Sequence, residues 1–203
     1  MTDLLEVRDL TRTFGGLRAV NGLSFHVGEG ETVGLIGPNG AGKTTAIRII
    51  TGAMPADHGH VRVLGLDPDV DGESVRRNCG VVSAKPALYD RLSGWDNLEY
   101  SAALYEIPRA AHRERILSAA ARFSIDDALD AQVGGYSTRM KTRLALARSV
   151  MHEPELLVMD EPTAGLDPIM QEEFHEILEE TKAAGGTVFL SSHILTDVEQ
   201  VCD

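Results

Sequence analysis

Gly37-Pro38-Asn39-Gly40-Ala41-Gly42-Lys43-Thr44 is the stretch that decides the fold, because it matches the spacing G-x-x-x-x-G-K-[ST]. Each residue type has a mechanical reason to be there. Glycines let the backbone coil tightly and turn its N–H groups inward onto oxygens. A helix that begins at this point adds its positive end. Lys43 is then placed to reach β- and γ-phosphates, and the Thr44 hydroxyl to sit on Mg²⁺. The motif also requires a strand before it and a helix after it. Thr32–Gly37 (TVGLIG) is a short apolar run ending in glycine, and AIRIITGAM follows with helical spacing that stops near Gly52 and Pro55.

Working outward, LLEVRDL and LSFHV alternate apolar and polar residues as short strands, with a turn at Gly28–Glu31. VRVLGLD, CGVVSA, ELLVMDE and TVFLSSH read as further strands. QEEFHEILEETKAAGG reads as an amphipathic helix ended by Gly185 and Gly186, and ILTDVEQVCD as the start of another. Between about Gly94 and Glu153 the character changes to alanine- and arginine-rich segments of helical period, punctuated by Pro108 and Gly134-Gly135. Strands alternating with helices predict an α/β fold: a three-layer core with a mainly parallel sheet, antiparallel strands at the N-terminus and an inserted α-helical subdomain. The expected division is an α/β core at 1–83 and 154–203 and a helical subdomain at 84–153.

Leu156–Glu161 is an apolar strand ending in two acids. Asp160 at the strand tip is placed to hold Mg²⁺ through water. Glu161 follows at once and can polarise an attacking water.

Composition narrows the partners. The 203 residues are 43% hydrophobic and 25% charged, enough apolar material for a core. Aromatics are only 5%, which disfavours platforms of stacked bases or sugars. A formal net charge of −12 argues against a free-standing nucleic-acid binder. The two cysteines, Cys79 and Cys202, lie far apart and suggest reduced thiols. No apolar run approaches the roughly 20 residues that span a bilayer, and MTDLLEVRDL has no basic n-region. A cytosolic chain is expected, with any membrane role reached through a partner.

Taken together the motifs resemble the nucleotide-binding domain of ATP-binding-cassette (ABC) transporters over nearly the whole chain. GPNGAGKTT is similar to its Walker A segment and LLVMDEP to its Walker B segment. AGLDP resembles its D-loop, with Asp167 at the key position, and LSSH its switch segment, ending in His193. YSTRMKTRLALAR stands where the family signature stands. The resemblance implies an ATPase subunit that binds ATP and Mg²⁺. Gly37, Asn39, Gly40, Ala41, Gly42, Lys43, Thr44 and Thr45 would hold the phosphates, with Thr45 near the α-phosphate, and Thr44 and Asp160 the metal. Glu161, His193 and Lys43 would carry catalysis, with His193 on the γ-phosphate. Phe14 stands where the family places an aromatic against adenine. Family members pair head to tail, so Ser137 and Asp167 would serve across a homodimer or heterodimer. A transmembrane permease subunit is the implied partner, and the chain would lie peripherally on the inner face of the cell membrane.

Two departures qualify this expectation. Tyr136-Ser137-Thr138-Arg139-Met140 has no glycine where the signature normally has one or two, and Arg139 adds bulk. Ala84 falls where the family usually has Gln or Glu to touch Mg²⁺ or the attacking water. Arg139 is expected to weaken or reshape the composite site, with a contribution of charge to the γ-phosphate as the alternative; from Ala84, slow turnover or the weaker half of an unequal pair is expected. The sequence also stops at Asp203 where relatives usually continue into further strands, so a fragment or a short sheet edge is expected. Leu88–Ser93 with Asn97-Leu98 resembles the branch of single-domain drug- and polyketide-export ATPases, which points to an exporter. A soluble ABC-type ATPase and a hydrolysis-impaired regulatory subunit are the alternatives.

Overall fold

The computed structural model describes residues 3–83, 85 and 87–202, with only the backbone at position 197. Ala84 therefore lies outside the described residues. The chain divides into two compact units, Met1–Ala84 with Glu155–Asp203, and Lys85–Pro154.

The first unit holds two sheets. β1 (Asp3–Phe14) pairs antiparallel with β2 (Leu17–Gly28) and with β4 (His58–Val63), in the order β2-β1-β4. The second sheet is parallel, in the order β3-β7-β6-β5, formed by β3 (Thr32–Ile36), β7 (Thr187–Ser192), β6 (Leu156–Asp160) and β5 (Cys79–Ser83). Side chains alternate faces along a strand, and here both faces are covered. Leu156, Val158 and Phe189 join one core with Leu5 and Val7 of β1 and Ile47, Ile49 and Ile50 of α1 (Lys43–Ile50). The intervening Leu157, Met159, Val188 and Leu190 are also buried but lie outside that cluster. Gly34 of β3 faces α7 (Leu195–Val201): a Cβ there would stand 2.7 Å from Val198 and 2.8 Å from the Cys202 sulfur. α1 is thus enclosed between the two sheets, which fixes the helix that follows the glycine-rich loop.

Several elements differ from their sequence reading. β1 and β2 are 12 residues each, longer than the short runs read from alternation, because their register shifts break the period without breaking the pairing. The apolar run Thr32–Gly37 suggests a buried strand, but β3 is an edge strand among the described residues, so Val33–Leu35 are half-buried and Ile36 is exposed. A helix at Pro68–Asn78, α2, was not expected. Its acidic sequence and non-helical Asp71 mask the period. Its start was nevertheless written in Asp67-Pro68: the Asp67 carboxylate accepts from the Asp69 N–H, and Pro68 occupies the first turn. The helix α6 (Pro168–Ala183) also begins earlier than its amphipathic stretch, capped by Asp167.

The second unit is helical: α3 (Gly94–Leu104), α4 (Arg109–Arg122) and α5 (Thr138–Val150). Leu98, Ala102, Ile116, Ala120 and Leu144 are fully buried in it. α3 starts in a capping box between Ser93 and Asp96. The buried Asn97 amide accepts from the Tyr89 N–H and donates to the Tyr89 and Ser93 carbonyls, pinning the preceding loop to this helix.

Candidate active site

The parallel register aligns the carboxyl ends of β3, β7 and β6: Ile36 opposite Ser192, and Ser191 opposite Asp160. Ligands of open α/β sheets bind at these ends. There a cavity of about 350 Å³ is lined by Ala19, Asn39, Gly40, Gly42, Lys43, Thr44, Thr45, Asp160 and Glu161.

The loop's shape follows from its glycines. Gly40 and Gly42 have φ of +83° and +93°, where a side chain is disfavoured. Gly42 is also in contact with β2: a Cβ on it would lie 1.9 Å from the Ala19 carbonyl oxygen. α1 begins immediately after it, so the first N–H groups of the helix lack carbonyl partners within the helix and face the loop. Such an end favours anions.

Lys43 is 5% exposed, and its ammonium is fully engaged. It donates to the Gly37 and Pro38 carbonyls at 2.6 and 3.0 Å and pairs with Glu161 Oε1 at 3.0 Å. The other carboxylate oxygen of Glu161 lies 3.1 Å from His193 Nδ1. Glu161 therefore joins Lys43 and His193 in one chain. Its φ is +47°, a costly region for a non-glycine residue. Two bonds hold it there: the Glu161 N–H donates to the Ser191 carbonyl and to the Ser191 hydroxyl, both at 3.1 Å. The same hydroxyl donates to Asp160 Oδ1 at 2.9 Å. Asp160 is 9% exposed, and this bond fixes its orientation at the cavity wall.

Of the residues expected from sequence, Asn39, Gly40, Gly42, Lys43, Thr44, Thr45, Asp160 and Glu161 meet at one cavity, and His193 touches it through Glu161. Gly37 and Ala41 shape the loop: a Cβ on Gly37 would sit 3.2 Å from that of Ala41. Phe14 stands apart at the end of β1, 42% exposed. Asp167 caps α6 through the Met170 N–H, and Ser137 caps α5 through the Met140 N–H. Neither lines the cavity. Sequence reasoning missed Ala19 and Ser191. Ser191 could have been found as a hydroxyl buried at the tip of a strand beside the acidic one; nothing in the sequence marks Ala19.

A sequence model of the family described as ABC transporter matches residues 20–164, well over half of the chain. The chain belongs to this family. Its ATP-binding domains bind ATP and hydrolyse it to power transport. The matched span of the ABC domain includes the glycine-rich loop, Ser137, Asp160 and Glu161, whereas Phe14, Asp167 and His193 lie outside it. A second model, described as AAA domain, putative AbiEii toxin, Type IV TA system, matches only residues 138–196. An uncharacterized ABC transporter ATP-binding protein of Nostoc sp. is 40% identical over 187 residues, covering 91% of this chain and 55% of that protein. A fluoroquinolones export ATP-binding protein of Mycobacterium tuberculosis is 37% identical over 204 residues, covering 100% of this chain and 66% of that protein. The chain thus spans 55% and 66% of the length of these two relatives. A solved ATP-binding subunit of an ABC transporter superposes with a TM-score of 0.87 at 33% identity, covering 98% of this chain and 83% of that one. The ABC domain accordingly has the α/β fold of this family, with a parallel sheet and an antiparallel N-terminal sheet. No helix among the described residues is long and apolar enough to cross a membrane.

Proposed function

We propose that this chain binds Mg-ATP at the loop of Gly37–Thr44 and hydrolyses it to drive a transmembrane permease. One observation carries this reading: a buried ammonium, a buried carboxylate and a strained glutamate converge on a single cavity beside a helix start. The cavity amides and Lys43 would take the phosphate oxygens, with Thr45 near the α-phosphate. Glu161 orients the attacking water and receives its proton, while Lys43 and His193 stabilise charge on the γ-phosphate oxygens. The Thr44 hydroxyl and the Asp160 carboxylate are hard oxygen donors on one cavity, a set that suits Mg²⁺, which would supply charge neutralisation there.

Nucleotide binding displaces the Lys43–Glu161 contact, since phosphate oxygens compete for the same ammonium. That exchange releases Glu161 to face water only when a phosphate chain is in place. Two such chains, identical or different, would close head to tail, with Ser137 and Asp167 serving the partner's nucleotide. The helical unit, which carries Ser137, would act as the signature-bearing subdomain. Ser137 is an N-cap, so the first amides of α5 suit a phosphate even without the missing signature glycine. Arg139 in that first turn, and Ala84, slow turnover in this reading. The partner is a permease rather than a nucleic acid, in keeping with the net charge of −12. The chain would work from the cytoplasmic face of the membrane, and the fluoroquinolone-export relative favours an exporter.

Phosphate release by wild type and Glu161→Gln tests the proposal. Release by wild type, lost in the variant while ATP still binds, supports it. Equal silence in both, with ATP bound, overturns the enzymatic part in favour of a regulatory nucleotide-binding subunit.

A further inference from the structure

Phe14 does not stand alone at the end of β1. Arg12, two residues earlier on the strand, lays its guanidinium over the Phe14 ring, 4.9 Å from the centroid. Arg12 is itself held: its Nη1 donates to Asp57 Oδ1 at 2.6 Å. Asp57 clasps the strand twice more, accepting from the Thr13 N–H at 2.7 Å and donating its own N–H to the Thr11 carbonyl at 3.0 Å. Asp57 lies between α1 and β4, so the chain leaving the phosphate-loop helix returns to brace the aromatic.

The geometry points to Arg12, anchored by Asp57, as a positioning residue that presents one face of Phe14 to the nucleotide base. This rests on the reading above that the cavity holds ATP and that Phe14 meets its base. β2 touches the phosphate loop at Ala19, and Leu17, the pairing partner of Phe14, is two residues away. At about 3.4 Å per residue that is roughly 7 Å, a span that a ribose bridges between phosphate and base. An exposed phenyl ring at a hairpin end would otherwise turn freely between rotamers. A guanidinium fixed by a carboxylate covers one face of a ring that is 42% exposed, so the ring is set before the base arrives.

A double-mutant cycle on Mg-ATP affinity tests this, with Arg12→Ala, Phe14→Ala and the pair, each also titrated with Mg-tripolyphosphate, which has no base. Arg12→Ala is expected to weaken ATP about five-fold or more while tripolyphosphate changes less than two-fold. In the Phe14→Ala background it is expected to have no further effect. Arg12→Lys, which keeps the charge, should recover part of the loss, and Asp57→Asn should reproduce part of it. Additive losses in the cycle, or unchanged ATP affinity in Arg12→Ala, would overturn the role of Arg12 while leaving Phe14 as the platform. If Phe14→Ala itself leaves ATP binding unchanged, the base platform falls and the proposal with it. If neither wild type nor any variant binds ATP, the nucleotide reading is what has failed.

Discussion

Adding a single methyl group to the phosphate loop separates shape from chemistry, because two of its glycines share a left-handed backbone but not a neighbour. Gly40 has φ of +83° and open space around its missing Cβ. Gly42 has φ of +93°, and its Cβ would fall 1.9 Å from the Ala19 oxygen and 2.9 Å from the Ala19 carbonyl carbon. An L-residue in the left-handed region costs roughly 1–2 kcal/mol. Gly→Ala returns about 0.4–1 kcal/mol by stiffening the unfolded chain. Gly40→Ala should therefore cost about 1 kcal/mol, a fall of roughly 2–4 °C in Tm for a chain of this size. Gly42→Ala carries the same strain and a backbone clash besides. Non-bonded atoms rest at about 3.5–4.0 Å, so loop and strand must part by more than about 1 Å. Overpacking of this kind adds about 1–3 kcal/mol, bringing the total to roughly 2–4 kcal/mol and the fall in Tm to at least about 4 °C. The displaced amides should also weaken ATP by at least about tenfold, or 1.4 kcal/mol. Differential scanning fluorimetry with and without Mg-ATP reads both quantities. If Gly42→Ala melts and binds like Gly40→Ala, the contact with Ala19 does not set the loop.

Other outcomes follow from the same geometry. Ser191→Ala removes the buried hydroxyl that Asp160 and the Glu161 N–H share, and should cost about 1.5–3 kcal/mol, as bonds to charged groups do; urea denaturation measures it. Burial, with a smaller contribution from the Glu155 charge, pushes the Cys79 thiol from 9.0 up to about 12. Because the folded state keeps that proton longer, the thiol's contribution is whole below pH 9 and is lost as pH rises toward 12; stability should fall across that window, less steeply in Cys79→Ala, and native Cys79 should resist alkylation at pH 8. In the helical unit, a Cβ on Gly94 would lie 2.3 Å from the Tyr136 hydroxyl, so Gly94→Ala should destabilise and Tyr136→Phe should recover part of the loss in thermal melts, the Leu129 backbone at 3.2 Å and the lost bond from the Tyr136 hydroxyl to the Ala128 carbonyl accounting for the remainder.

Most residues that line the candidate site were legible in the sequence because they fall in two short runs of the chain. The loop with its following helix, and Asp160-Glu161 at a strand end, each place their groups by local geometry alone. What sequence did not reveal depends on pairing across the sheet. The bond from Ser191 to Asp160 exists because β6 and β7 run in register, and the approach of Ala19 to Gly42 because β2 crosses the loop. The same holds for Arg12 and Asp57, 45 residues apart. α2 escaped for a different reason. It has little apolar stripe to read, and its capping signal was the only local sign of it.

The proposed function requires Lys43 and the amides around it to grip a triphosphate. Thermal stabilisation by Mg-ATP at about a hundred times its Kd, compared between wild type and Lys43→Ala, tests that grip. Binding at that excess contributes about 2.7 kcal/mol, so wild type should gain roughly 5–10 °C and Lys43→Ala almost nothing. An equal gain in both proteins, or none in wild type at millimolar nucleotide, would contradict it.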